Sequence, residues 1–258
     1  MEQSGEFLTT DLGSNMLTIF LIFIAHWYLS LFVQTFFLHR YASHQMFTMT
    51  PLVEKGFFLL TILAQGTSFL KPSLYSILHN KHHEFADTAQ DPHTPVKHSN
   101  YFSFMLETLK NYNKGSILLK KKKITSLKLP SWDRVEKIAD TYLIRFIFLS
   151  SYILFYCFYA PNLWFFLLIP IHALMGPIHG FIVNWFGHKH GYRNFENTGD
   201  YSTNTLPVDL LMSGELYQNN HHKFPNKTNF AHRWFEIDFG HLFTKFLLFI
   251  NVISTRKT

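Results

Sequence analysis

The most restrictive feature of this chain is an almost unbroken apolar run over residues 16–38. From Leu17 it reads Leu-Thr-Ile-Phe-Leu-Ile-Phe-Ile-Ala, and it continues to Phe36-Phe37-Leu38. A helix that crosses the hydrocarbon core of a bilayer needs roughly 20 such residues. Only His26 and Gln34 interrupt the run, which indicates that one face of the helix packs against protein. The run therefore predicts a transmembrane helix.

Two further apolar runs, 142–160 and 163–185, are separated only by Pro161-Asn162. This arrangement predicts a helical hairpin across the membrane. The segment 52–70 is also apolar, but its uninterrupted middle is too short to span alone. Charged residues make up only 16% of the chain, below the roughly 25% usual for soluble domains. We predict an all-α integral membrane protein that forms a single domain over residues 1–258.

Three groups of histidines lie outside the longest apolar runs. His79, His82 and His83 are spaced i, i+3 and i+4, so on a helix their rings share one face. The pair His39 and His44 precedes them, and a third group lies near position 221. Neutral imidazole is the commonest metal-ligating side chain. The three groups together predict a metal site at a membrane surface.

Counting the candidate ligands favours two metal ions, because one tetrahedral metal needs about four nitrogen ligands. The candidates number eight: His39, His44, His79, His82, His83, His188, His221 and His222. Imidazole suits iron, zinc, copper and nickel, so the ligand type leaves the metal open. The single cysteine, Cys157, excludes disulfides and iron–sulfur ligation. The lack of carboxylates within the clusters argues against a ferritin-like site built on Glu-x-x-His repeats.

The clusters and their surroundings resemble the histidine boxes of the membrane fatty acid desaturases. The boxes are His39-x-x-x-x-His44, His79-x-x-His82-His83 and x-x-His221-His222. Asp91-Pro92-His93 after the second box and Asn184-x-x-x-His188-x-His190 resemble the acyl-CoA desaturases. Gly214-Glu215 and Phe224-Pro225 frame the third box in the same way. The resemblance covers roughly residues 39–238.

This resemblance implies two iron ions and dioxygen, with the eight histidines as ligands and Asn184 as a ligand through water. Asp91, His93 and His190 are expected to hold ligand histidines in position. His172 and His179, which lie in the last apolar run, are candidates for the wall of the substrate tunnel. The third box of the family normally opens with histidine, whereas this chain has Gln218 there, so Gln218 is expected as a weak ligand or as a partner of a bound water.

The implied activity is the oxygen-dependent introduction of a cis double bond into a saturated acyl chain carried by CoA or a lipid. The chain has no His-Pro-Gly-Gly haem signature, so the resemblance implies a separate electron donor of ferredoxin or cytochrome b5 type. A hydroxylase or ketolase of the same superfamily, acting on a lipid, sterol or carotenoid, remains an alternative. A haem-binding membrane cytochrome and a histidine-rich metal transporter are more distant alternatives.

The net charge of +6 could suit nucleic acid, but the basic residues crowd between apolar segments, as in cytoplasmic membrane loops. This distribution predicts a membrane-lipid partner, no nucleic acid, and a helical cap with the active site on the cytoplasmic face. The boxes flank segment 52–70, so that segment is expected to be re-entrant or interfacial. Three spans then remain, with the N-terminus outside. Arg40 and the run Lys120–Lys123 are read as solvated, lipid-facing charge.

Overall fold

The computed structural model describes residues 3–121 and 129–256, with the side chains of the first helix described from residue 13. The described part is mostly helical, as the sequence predicts. The α-helices are α1 Gln3–Phe32, α2 Pro51–Gln65, α3 Pro72–Phe85, α4 Tyr101–Lys120, α5 Asp133–Ala139, α6 Tyr142–Tyr159, α7 Ile169–Ala173, α8 Met175–Gly187, α9 Gln218–Lys223 and α10 Phe239–Phe249. Lys122 and Lys123 of the predicted basic run lie outside the described residues.

Two helices are long and apolar enough to cross a membrane. The first is the 31-residue stretch Gly13–Ser43, and the second is the 18-residue helix α6. In the middle of α1, large apolar side chains such as Phe20 (59% exposed) and Leu21 face away from the protein. The surroundings of such a surface must be apolar, because water would make this exposure unfavourable. Both helices agree with apolar runs identified in the sequence.

The third predicted span is not one straight helix. It consists of the segment Leu163–Ala173 and the helix α8, which are bent by 72°. Pro177 explains the break, because proline has no N–H to donate to the carbonyl of Ala173 one turn earlier. That carbonyl instead accepts a hydrogen bond from the Thr67 hydroxyl at 2.5 Å. The broken segment is therefore fastened to the chain that follows α2.

Segment 52–70 forms helix α2 and a short 3-10 helix, Gly66–Ser68. Thr50 caps α2 by accepting from the N–H of Val53. A helix of 15 residues is about 22 Å long, shorter than the ~30 Å core of a bilayer. This length is compatible with the expected re-entrant segment.

Two short strands, β1 Phe47–Met49 and β2 Ile253–Thr255, pair in antiparallel fashion. The all-helical prediction did not include them. They join the end of the chain to the turn after the first histidine box. Apolar side chains of the first helix and α10, including Phe36, Phe37 and Leu247, form the core beneath this pair.

Candidate metal centre

The first histidine box lies in a π-helix, Val33–Ser43, which continues directly from α1. In an α-helix, residues five apart point about 140° away from one another. A π-helix brings them onto one face, because its hydrogen bonds run from residue i+5 to residue i. His44 donates its N–H to the carbonyl of His39 at 3.1 Å in this pattern. The spacing His-x-x-x-x-His therefore suits this local structure.

The other candidate ligands are carried by two helices and by the residue that follows a third helix. Helix α3 carries His79, His82 and His83, and the short helix α9 carries the third box. His188 follows the last residue of α8. Asn204, which is fully buried, donates through its side chain to Asn220 at 3.0 Å and thereby anchors α9 to the preceding loop.

Five of the predicted ligands form one group, which we call the five-histidine group: His39, His44, His79, His83 and His221. Their Nε2 atoms converge. The separations are 2.8 Å between His44 and His79, 3.1 Å between His79 and His83, and 3.0 Å between His83 and His221. Metal–nitrogen bonds of about 2.1 Å at right angles place neighbouring nitrogens about 3.0 Å apart. The spacing therefore fits a shared metal ion.

The remaining predicted ligands, His82, His188 and His222, form the three-histidine group. Each of their Nε2 atoms is buried and has no hydrogen-bond partner within the described part of the chain. Buried polar atoms are normally hydrogen-bonded, so three such atoms within 4.8 Å of one another suit a cation. Each of the eight ligands predicted from the sequence thus belongs to one of these two groups.

Carboxylates orient four of these rings from the side opposite the converging nitrogens. The Nδ1 atoms lie 2.6 Å from Glu215 in His39, 2.9 Å from Asp91 in His82, 2.8 Å from Asp87 in His188 and 2.6 Å from Asp200 in His222. A carboxylate at Nδ1 holds the proton there and leaves Nε2 as the ligand atom. This is the arrangement of a histidine metal site.

Burial lowers the pKa of several of the imidazoles, which favours the neutral form that metal binding requires. Burial, followed by the charges of neighbouring rings, lowers the pKa of His44 to about 2. Burial likewise lowers the pKa of His222 to about 4, although the Asp200 carboxylate opposes this shift. Burial alone would raise the pKa of Asp200, but the hydrogen bond and charge of His222 hold it well below its usual range.

Arg40, predicted to be solvated, is fully buried and forms part of the support of the site. Its guanidinium donates to Glu215 at 2.6 Å and to both oxygens of Asp238 at 3.0 and 2.9 Å. Glu215 therefore joins His39 of the first box to this arginine. Burial raises the pKa of Glu215, but the charges of His39 and Arg40 outweigh it and lower the pKa to about 2. The expectation failed because a buried guanidinium requires anionic partners that only the fold brings together.

A glycine precedes Glu215 for a steric reason. Gly214 has a φ of +95°, and a Cβ there would lie 2.5 Å from an Asp238 carboxylate oxygen. Only glycine meets both conditions without strain. The pair Gly214-Glu215 thus allows close approach of the carboxylates that hold Arg40.

A cavity of about 690 Å³ is lined by His39 and His79 of the five-histidine group and extends between the helices. Its wall also includes Asn184 and Gln218, and apolar residues make up much of the rest. Gln218 is buried and donates to the carbonyl of Glu215 at 2.7 Å. It packs closely against Gly187, the neighbour of His188. The role of Gln218 as a weak ligand or as a partner of a bound water stays a prediction.

Three of the other predicted residues lie at or near the site, namely Asp91, His93 and His179. The ring of His93 is 5.1 Å from that of His82, and its backbone N–H donates to Asp91 at 2.9 Å. His179 is fully buried in the wall of the cavity.

His172 and His190 lie elsewhere. His172 contacts His26 at 2.6 Å and the Tyr156 hydroxyl at 2.8 Å, and it is not part of the cavity wall. It bridges helices instead of facing substrate. His190 is exposed and its ring lies against Phe186, since α8 has already ended at Gly187. In the described residues it makes no recorded contact with the eight histidines.

Sequence reasoning missed the carboxylates Asp87 and Asp200, and it noted Glu215 only as part of a motif. A weak signal was available, because Asp87 follows the second box within four residues of His83. Asp200 is in a loop 22 residues before its partner, and Asp87 is 101 residues from His188. Neither separation has a periodicity from which contact could be predicted.

The fold and site define a helical membrane protein with buried histidine clusters suited to metal ions. The chain belongs to the fatty acid desaturase family, whose sequence pattern it matches over residues 14–245. It is 29% identical to the sn-1 stearoyl-lipid 9-desaturase of Synechocystis over 85% of its length, and 25% identical to the acyl-CoA 5-desaturase AL21 of Anemone leveillei, also over 85%. Its identity to the icosanoyl-CoA 5-desaturase of Limnanthes douglasii is 30% over 78% of the chain. The matches cover 65%, 65% and 54% of these relatives, so the chain spans less than two thirds of their lengths.

Proposed function

We propose that this protein is an oxygen-dependent di-iron desaturase that introduces a cis double bond into a saturated fatty acyl chain. The observation that carries the proposal is the convergence of buried imidazoles into two groups, of which the five-histidine group lines a largely apolar cavity. Family membership supports the same reaction class. Relatives that are named as acyl-CoA and acyl-lipid desaturases leave both carriers possible for this chain.

The two groups would hold one iron each. The five-histidine group supplies five nitrogens, whereas the three-histidine group supplies three, so a water would complete the second site. Asn184 donates its amide N–H to the carbonyl of Gly180 at 2.8 Å, which leaves its amide oxygen to orient such a water. Gln218, which packs against Gly187, would act similarly. The carboxylates at Nδ1 keep the imidazoles in the required tautomer.

The iron pair would supply the oxidising chemistry, using dioxygen as the oxidant. Two hydrogen atoms leave adjacent methylenes of the acyl chain. Two further electrons, from the donor, and two protons, from solution, complete the reduction of O2 to two waters. The protein contributes the position of the chain, because the cavity walls decide which carbons lie beside the histidine groups. Its apolar lining excludes water, which prevents side reactions. The electrons would come from a separate donor of ferredoxin or cytochrome b5 type.

The decisive experiment is the fatty acid profile of a host that expresses the chain, with double bonds located by mass spectrometry. We expect a new monounsaturated product, and about two irons per purified chain. His82→Ala and His221→Ala should each lower the iron content and abolish the product. Hydroxylated lipid in place of the unsaturated product would indicate the hydroxylase alternative, and full activity in either variant would contradict the metal site.

A further inference from the structure

The cavity lined by the five-histidine group contains a buried polar side chain, and an acyl chain made only of methylenes could not form a hydrogen bond with it. His179 on α8 is fully buried and lines the cavity. Both of its ring nitrogens lack a hydrogen-bond partner among the described residues. By contrast, both nitrogens of the nearby membrane histidine His172 are paired. A buried imidazole with neither nitrogen satisfied is unfavourable, so His179 indicates that a polar ligand group is expected there.

A second polar atom of the same kind lies in the facing wall. Gln34 in the π-helix lines the cavity, and its amide oxygen is buried and has no partner in the described part of the chain. A Cβ added to Gly180, the neighbour of His179, would lie 3.8 Å from the Gln34 amide nitrogen. The Gln34 amide therefore lies next to the residue that follows His179 on α8, and the same side chain hydrogen-bonds Tyr75. The His179 ring N–H can donate a hydrogen bond, and the Gln34 amide oxygen can accept one.

The position along the cavity is beyond the histidine groups. Asn184 precedes His188 of the three-histidine group by four residues, and His179 precedes Asn184 by five residues on the same helix. At 1.5 Å per residue this places His179 about 7.5 Å farther along α8. The Trp27 ring meets the His179 ring edge-on, at 4.6 Å between centroids, so the imidazole is held within the α1–α8 interface. A ligand group at His179 would thus belong to the far part of an acyl chain.

We propose that His179 is a specificity-determining residue that binds a hydroxyl group on the tail of the substrate acyl chain. A hydroxyl has one donor and two acceptor positions, so it can accept from the His179 N–H and donate to the Gln34 amide oxygen. A carbonyl could use only the first contact, and a charged group is unfavourable at this depth. This inference rests on the proposed function, since it takes the cavity as the acyl site. It adds that the preferred chain is hydroxylated beyond the position of desaturation.

The test compares stearoyl-CoA with hydroxystearoyl-CoA isomers that carry the hydroxyl at successive tail carbons. Binding to the iron-loaded protein is measured by ligand-induced thermal stabilisation, and turnover is measured separately by product analysis. We expect one or two adjacent isomers to bind about tenfold more tightly than stearoyl-CoA, from one net hydrogen bond. Equal binding of all the chains would mean that His179 meets only water, and would overturn the inference.

Variants assign the preference to the residue. His179→Leu should remove the tenfold preference, whereas His179→Asn, which keeps a donor and an acceptor, should retain part of it. Val183→Ala, one turn away in the same wall, should change the affinities for both chains alike. If His179→Leu does not fold, as judged by melting temperature and iron content, Gln34→Leu serves instead and should weaken the preference.

A preference that persists in His179→Leu would also contradict the inference. Failure of the proposed function is distinguishable, because it would be seen as absence of any unsaturated product. In that event the binding ratio still decides whether His179 recognises a hydroxyl.

Discussion

Among single residues, the carboxylates that bind the Nδ1 atoms of the histidines are expected to control metal affinity. Asp200 lies 2.6 Å from the Nδ1 atom of His222. Asp200→Asn removes the charge that holds the proton on that atom, and loss of such a partner typically lowers metal affinity about 10- to 100-fold. We expect this decrease at the three-histidine group, measured by iron titration of the apo-protein. Asp133→Asn, the same change at an exposed residue, should have no effect. An unchanged iron affinity in Asp200→Asn would contradict the role given to the carboxylate.

Gln218 offers a second test at this scale. Its side chain packs against Gly187, which directly precedes His188 of the three-histidine group. That group has three imidazoles, two fewer than the five-histidine group. Gln218→Ala should lower iron affinity at that group by about tenfold, because a polar partner of the metal or its water is lost. Iron content and product yield would both report the change. Gln90→Ala, in an exposed position, is the matched control. Full iron occupancy and activity in Gln218→Ala would refute the predicted contact with the metal site.

Individual residues differ in how well the sequence predicts their roles. The eight histidines could be identified because their local spacings, such as that of His79 and His83, are visible along the chain. The partners could not, since Asp87 and His188 meet across 101 residues. Arg40 shows the same limit, because its neighbours in sequence do not reveal whether its charge points to solvent or to Asp238.

Among the secondary-structure elements, the break between α7 and α8 gives a prediction. The Thr67 hydroxyl satisfies the carbonyl of Ala173 that Pro177 leaves without its helical donor. Thr67→Val should destabilise the protein by about 1 kcal/mol, since a part-buried carbonyl would lose its partner. The melting temperature in detergent measures this, and Thr48→Val, at an exposed hydroxyl, is the control. In a Pro177→Ala background the cost of Thr67→Val should fall, because the helix can supply its own N–H. An equal cost in both backgrounds would contradict this account of the break.

Helices were easier to predict than their irregularities. The apolar length of residues 142–160 was sufficient to predict α6, because a span needs a minimum number of apolar residues. The π-helix at the first box has no periodic signal of its own, and a Pro in an apolar run does not by itself reveal a 72° bend. The strands β1 and β2 have three residues each, too few for an alternating pattern to be recognised.

At the scale of the whole molecule, the buried pairs of Arg40 connect the first helix to the C-terminal part of the chain. Arg40→Met would leave Glu215 and Asp238 buried without their cation, which typically costs about 3–5 kcal/mol. We expect a large decrease in melting temperature for Arg40→Met. The decrease should be smaller for Arg40→Lys, which keeps the charge but loses the several directed hydrogen bonds of the guanidinium. Arg134→Met, at an exposed arginine, should leave the melting temperature nearly unchanged. Equal melting temperatures for Arg40→Met and the wild-type protein would contradict the proposed connection.

The membrane topology follows from the meeting of the boxes. His44 of the first box and His79 of the second lie 2.8 Å apart, so α2 and the chain after it must begin and end on the same side of the membrane. If α6 and the bent segment form a hairpin, we predict three crossings, with residues 3 and 256 on opposite sides of the membrane. The basic residues of the loop between α4 and α6 favour the cytoplasm for the boxes.

Cysteine labelling in a Cys157→Ser background tests this topology. Ser4→Cys and Leu163→Cys should react with an impermeant reagent in intact cells, because the model of three crossings places both outside. Ser99→Cys, in an exposed position after the second box, should react only after permeabilisation. If α2 crossed the membrane instead, the first and second boxes would lie on opposite faces and could not share the five-histidine group. Labelling of Ser4→Cys and Ser99→Cys from the same face would therefore overturn the three crossings, whereas labelling of Leu163→Cys with Ser4→Cys would support the hairpin independently.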